Sequence, residues 1–137
     1  MKFKSKSHTL KSLKLKNSII PDLIIIKCSD FIKNPENITA KINIKFKNKL
    51  IAIRSSFKSE DNSKKSNAGK YKSFLNIPAK DKIKIKNVID EILRQRKNLK
   101  NEVFFVQEMV SKIKISGVLL TRNLENYVRN VNINYFE

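Results

Sequence analysis

The chain has 137 residues, enough for one packed core, and with 40% hydrophobic side chains it is too apolar to be a fully disordered polyelectrolyte. No apolar run approaches the roughly 18 residues of a membrane helix, and no apolar signal core follows Met1. A single cysteine, Cys28, excludes an internal disulfide, and a reducing, cytoplasmic setting is expected. The formal charge of +18 invites a polyanion partner, but lysine is spread along the chain and outweighs arginine, the residue suited to bidentate phosphate and base recognition. Abundant Lys, Asn and Ile also match AT-rich coding, so most of the charge is read as solvated surface. A small basic nucleic-acid-binding protein stays as the alternative reading.

Along the chain, Leu10 and Leu13 suit one face of a short helix in the Lys-rich opening. Ile19-Ile20-Pro21-Asp22 reads as a turn into the strand Leu23–Ile26, whose continuous apolar run predicts burial on both faces. Ser29-Asp30 is a candidate cap for a short helix through Phe31 and Ile32, and Pro35 interrupts that pattern. Leu50–Ile53 is a second strand, ending in Arg54-Ser55-Ser56. Ser59 to Lys70 has no apolar residue larger than Ala68 and predicts a loop, the most mobile interior segment, with a strand returning over Tyr71 to Ile77. From Lys82 to Arg96 the pattern is helical: Ile85, Val88, Ile89, Ile92 and Leu93 keep the spacing of one buried face. Val103–Val106 and Gly117–Leu120 are further strands, and Tyr127 to Tyr135 alternates with Val131 and Ile133 as inward candidates. The order points to an α+β or α/β domain; of the two an α+β fold is expected, its mixed sheet holding the runs near Leu23, Leu50, Val103 and Gly117.

Chemistry-bearing residues are sparse. One His and one Cys give no metal-site spacing, and no Walker-type loop is present. His8 stands alone and reads as a surface residue. Cys28, without an activating base, reads as a small core residue. Phe104 and Phe105 lie in an apolar run and read as core, not as a base-stacking platform. The informative stretch starts at Ile53-Arg54-Ser55-Ser56 and continues through Glu60-Asp61 and Ser66-Asn67-Ala68-Gly69-Lys70-Tyr71 to Ser73-Phe74-Leu75-Asn76. Arg54 offers a planar fork of donors to a phosphate, and Gly69 lets backbone N–H groups approach an anion. By themselves these residues read first as a strand followed by a surface loop in which Glu60 and Asp61 pair with lysines.

Together they resemble the first signature of the nucleotide-binding domain that opens pyruvate phosphate dikinase and phosphoenolpyruvate synthase: an apolar strand, Arg-Ser-Ser, Glu-Asp, Ser-x-Ala-Gly and a strand ending in Leu-Asn. Other segments match in order. Lys6-Ser7-His8-Thr9-Leu10 resembles the family's opening Lys-Gly-x-Asn/Thr-Leu, with Ser5 and Ser7 where glycines often stand. Ile20-Pro21-Asp22-Leu23 is similar to the entry to the first strand. Val103-Phe104-Phe105-Val106-Gln107-Glu108-Met109-Val110 and Ser116-Gly117-Val118-Leu119-Leu120-Thr121-Arg122-Asn123 resemble two later strands, although Leu124 replaces the proline expected next.

The resemblance implies an ATP-grasp-like fold, with residues 1 to about 100 as a first subdomain and 101 to 137 as the start of a second. It implies ATP as ligand, with Lys6 and Arg54 on the phosphates, Gly69 and Ser73 in the loop that covers them, Gln107 along the adenine pocket and Arg122 toward nucleotide or substrate. In relatives a phosphoryl group passes to a histidine on a separate domain and on to pyruvate. The relatives' Mg²⁺ ligands come from strands after the Thr121-Arg122-Asn123 segment. The chain is therefore expected to be incomplete at its C-terminus, as a gene fragment, as the first piece of a split enzyme whose partner chain carries the rest, or as a binding module that lost catalysis; it is expected to bind ATP weakly alone and to hold no metal of its own. No catalytic residue is assigned.

Overall fold

The computed structural model describes residues 6–14, 16–57, 73–121, 129 and 131–137; of Lys6 it describes the backbone alone. Ten elements follow in chain order. They are α1 (Lys6–Ser12), β1 (Leu23–Lys27), α2 (Cys28–Lys33), α3 (Pro35–Lys45), β2 (Leu50–Ser56), β3 (Ser73–Pro78), α4 (Lys82–Arg94), β4 (Val103–Glu108), β5 (Ser116–Leu120) and β6 (Asn132–Phe136). The α+β class holds. The main sheet, in the order β1-β4-β2-β3, is antiparallel at every pairing rather than mixed, and the Gly117 run lies outside it, in a two-stranded sheet of β5 and β6.

Helices α2, α3 and α4 cover one face of the main sheet. Strand side chains alternate between faces, and antiparallel partners share one. Ile24 and Ile26 of β1, Ile51 and Ile53 of β2, Ile77 of β3, and Phe104 and Val106 of β4 therefore all meet the helices. Phe31 of α2 packs edge-on against Phe104, with ring centroids 6.0 Å apart and planes at 88°, a favoured aromatic geometry. All five expected core positions of α4 are buried. Asp81 caps that helix, its carboxylate accepting from the Lys84 N–H at 2.9 Å. The helix stops at Arg94 rather than Arg96; the Arg96 side chain turns to pair with buried Glu102 at 2.8 Å and lies over the Phe57 ring.

Several local expectations change. β1 is an edge strand, and of its residues Ile26 alone is fully buried, because an antiparallel edge lacks cover on one side. Ser29 and Asp30 lie inside α2 instead of capping it; its N-cap is Lys27, without a side-chain cap bond. Pro35 does not simply break a helix. It occupies the first turn of α3, where its missing N–H costs nothing, and Asn34 caps that helix by accepting from Asn37 N–H at 3.0 Å. Opposite the register shift between Ile51 and Ile53, Asn76 adopts φ 56°, so β3 bulges there. Asn17, Asn48 and Asn101 also have positive φ, doing in this glycine-poor chain what glycine usually does. In the β5–β6 hairpin Val131 and Ile133 are exposed, not inward. Gly117 is required there, since a Cβ would collide with the Asn134 carbonyl oxygen across the ladder.

Candidate functional site

The second face of the main sheet has a different character. Alternation places Ala52, Arg54 and Ser56 of β2 on it, together with Leu23 and Ile25 of β1, Phe105 and Gln107 of β4 and Ser73 of β3, as the pairings Leu23–Gln107, Ala52–Gln107, Arg54–Phe105 and Arg54–Ser73 require. Phe105 and Ala52 are buried here, away from the helix-side cluster. Phe104 and Phe105 are thus both core, on opposite faces.

Arg54 and Gln107 stand one diagonal step apart on neighbouring strands, within reach for long side chains. Arg54 is half-buried. Its Nε is fully buried and has no hydrogen-bond partner among the described residues, an arrangement that natively folded chains rarely leave without a ligand, water or functional reason. Gln107 directs its amide N–H toward the Pro21 carbonyl at 3.5 Å, joining the turn that enters β1 to this wall. Ser73, across from Arg54 at the start of β3, is exposed.

The chain's opening reaches the same face. Buried Ser56 accepts from the Ser7 backbone N–H at 3.1 Å, and its hydroxyl donates to the Ser7 Oγ at 2.9 Å. Helix α1, which starts at Lys6, is thereby fixed beside the end of β2. The backbone of Lys6, Arg54, Ser73 and Gln107 therefore belongs to one face or its rim, although the residues are far apart in sequence. The Lys6 side chain, Gly69 and Arg122 lie outside the described residues, as does the expected loop from Ser59 to Lys70. The Ser7–Ser56 contact was not foreseen: Ser56 was legible as part of an Arg-Ser-Ser run, but nothing in the sequence signalled its partner.

Elsewhere the chemistry is quiet. His8 is exposed. Cys28 is fully buried, and burial first, with the Glu102 carboxylate second, pushes its thiol up to about 11, so it is protonated and unreactive at neutral pH. Among the described residues no group of three or more His, Cys, Asp or Glu is placed to hold a metal ion, and no helix is long and apolar enough to cross a membrane.

The model of one family, the pyruvate phosphate dikinase AMP/ATP-binding domain, matches residues 4–135. No match is found among curated proteins or solved structures. The match takes in the opening segment, the Arg54 strand, β4 and the final hairpin, and the chain belongs to that family of ATP-binding domains.

Proposed function

We propose that this member of the dikinase ATP-binding family supplies the phosphate-holding wall of an ATP-grasp-like site in a pyruvate phosphate dikinase or phosphoenolpyruvate synthase type of enzyme. In this reading Arg54 and Lys6 bind the phosphates. Gly69 and Ser73 belong to the covering loop, Gln107 borders the adenine, and Arg122 faces nucleotide or substrate. The first subdomain, residues 1 to about 100, supplies three strands of the four-stranded sheet, and residues 101 to 137, from β4 through the β5–β6 hairpin, begin the second. The observation that carries the proposal is the buried, unpartnered Nε–H of Arg54 on the sheet face it shares with Gln107. A phosphate oxygen would satisfy that donor with a charge-assisted bond.

Phosphoryl transfer depends on positioning and on balancing charge, and Arg54 contributes to both. The acceptor histidine and the pyruvate site are assigned outside these 137 residues, since the one histidine, His8, sits in the opening motif and is not matched to an acceptor. The described residues do not fit a protein-held Mg²⁺, so the reading assigns Mg²⁺ to the phosphates of ATP and gives it no step. It assigns the chain to the cytoplasm and treats nucleic-acid binding as non-specific attraction that fades with salt.

The test combines calorimetric titration of ATP with turnover. Arg54→Ala is expected to weaken ATP binding at least about tenfold, the scale of a lost charge-assisted hydrogen bond, whereas the exposed-site variant Lys84→Ala changes it less than about twofold. Labelled ATP with Mg²⁺ and pyruvate is expected to give no phosphoprotein and no phosphoenolpyruvate with this chain alone. Equal losses in the two variants would reduce the site to general electrostatics, and robust turnover would overturn the assignment of the acceptor elsewhere.

A further inference from the structure

We propose that Ser56 and Ser7 are positioning residues for the nucleotide site: their reciprocal hydrogen bonds lock the start of α1 against the Arg54 strand and set where Lys6 meets the phosphates. The inference rests on the reading of this face as the ATP site.

Helix α1 has seven residues, far below the length at which an isolated helix holds together in water, so its place must come from tertiary contacts. Its Leu10 is only half-buried, and Leu13 just beyond it is 41% exposed, which leaves a weak apolar anchor. The strong attachment is polar. Ser7 is fully buried, and its N–H, in the first turn of α1, needs an acceptor from outside the helix. Ser56 Oγ is that acceptor, and its own proton returns to Ser7 Oγ. The pair joins residues 49 positions apart. Ser56 lies two residues beyond Arg54 on the same face of β2, about 7 Å along the strand. The lock therefore ties the backbone next to Lys6 to the strand that carries Arg54.

A residue that acts through Lys6 affects the triphosphate and not the nucleoside. Binding of ATP and of adenosine is measured by calorimetry for the full chain and for Ser56→Ala, Lys6→Ala, Arg54→Ala and the Ser56→Ala/Lys6→Ala double variant. Ser56→Ala is expected to weaken ATP roughly tenfold while adenosine changes less than about twofold, and to cost nothing further once Lys6 is gone. Equal losses for ATP and adenosine, an undiminished loss in the Lys6→Ala background, or no loss at all would overturn the inference. Arg54 separates the two levels. If Arg54→Ala weakens ATP and Ser56→Ala does not, the positioning role alone falls; if Arg54→Ala leaves ATP binding intact, the site reading falls and takes this role with it. Should Ser56→Ala fail to fold, Ser7→Gly keeps the N–H donor and removes the Oγ to which Ser56 donates, with an expected loss of about threefold for ATP and the same non-additivity with Lys6→Ala.

Discussion

The two faces of the main sheet use one set of strands for opposite purposes. The helix face is filled by Ile, Val and Phe, with Ile51, Ile53, Phe104 and Val106 wholly inaccessible. The other face sets Arg54, Gln107 and Ser56 beside buried Ala52 and Phe105, and among the described residues it leaves a buried guanidinium nitrogen unsatisfied. Adjacent residues on one strand, such as Ile53 and Arg54 or Phe104 and Phe105, thus answer to different demands. The helix face holds the main apolar cluster, and the proposed binding residues lie on the other.

The largest expected effect tests the helix face. Phe104→Ala should cost about 3–5 kcal/mol in denaturant unfolding, because it removes a ring in edge contact with Phe31 and leaves a cavity. A loss under about 1 kcal/mol would mean this face is not the stabilising one. Next comes the opposite face: Arg54→Met should leave unfolding stability unchanged or slightly raised, since an unpaired buried donor disappears, while ATP no longer raises the melting temperature. A destabilised variant that still responds to ATP would reverse the contrast.

Cys28 sharpens it through pH. Its folded-state pKa is raised from 9.0 to about 11, so the protonated thiol's contribution is complete below about pH 9 and is lost as pH rises through about 11. Stability should therefore decline over that window, and Cys28→Ala should decline less steeply even if it starts lower; parallel pH slopes would contradict the burial argument. The smallest effect is the control on both faces: Lys84→Ala, exposed on α4, should shift stability by less than about 0.5 kcal/mol.

The parts legible in sequence are those whose periodicity has a single physical reading. The five apolar positions of α4 repeat at helical spacing and are buried as a set, and the apolar runs at Leu23, Leu50 and Val103 are strands. α3 was not legible, because Asn, Lys and Ile alternate along it without a clear stripe and only Thr39 and Ile42 are buried. Pairing was not legible either. A run of apolar residues does not say which strand lies beside it, so a mixed sheet including Gly117 was as consistent with the pattern as the antiparallel sheet and separate hairpin that form. For the site, motif order named Arg54 and Gln107, and alternation then put them on one face; the Ser7–Ser56 bond required two segments 49 residues apart to be brought together, which no local pattern encodes.

The sheet order also governs assembly. β4 lies between β1 and β2, so those two strands share no ladder until residues 103–108 arrive. During synthesis the first hundred residues carry the β2–β3 hairpin and a lone β1, each with an unsatisfied edge facing where β4 will dock. Such edges are templates for pairing with other chains. Closure must wait for a long-range insertion, a topology that folds slowly relative to one built from sequential hairpins. Any truncation before Val103 removes the central staple of the sheet rather than trimming its rim, and leaves a nascent polypeptide prone to self-association.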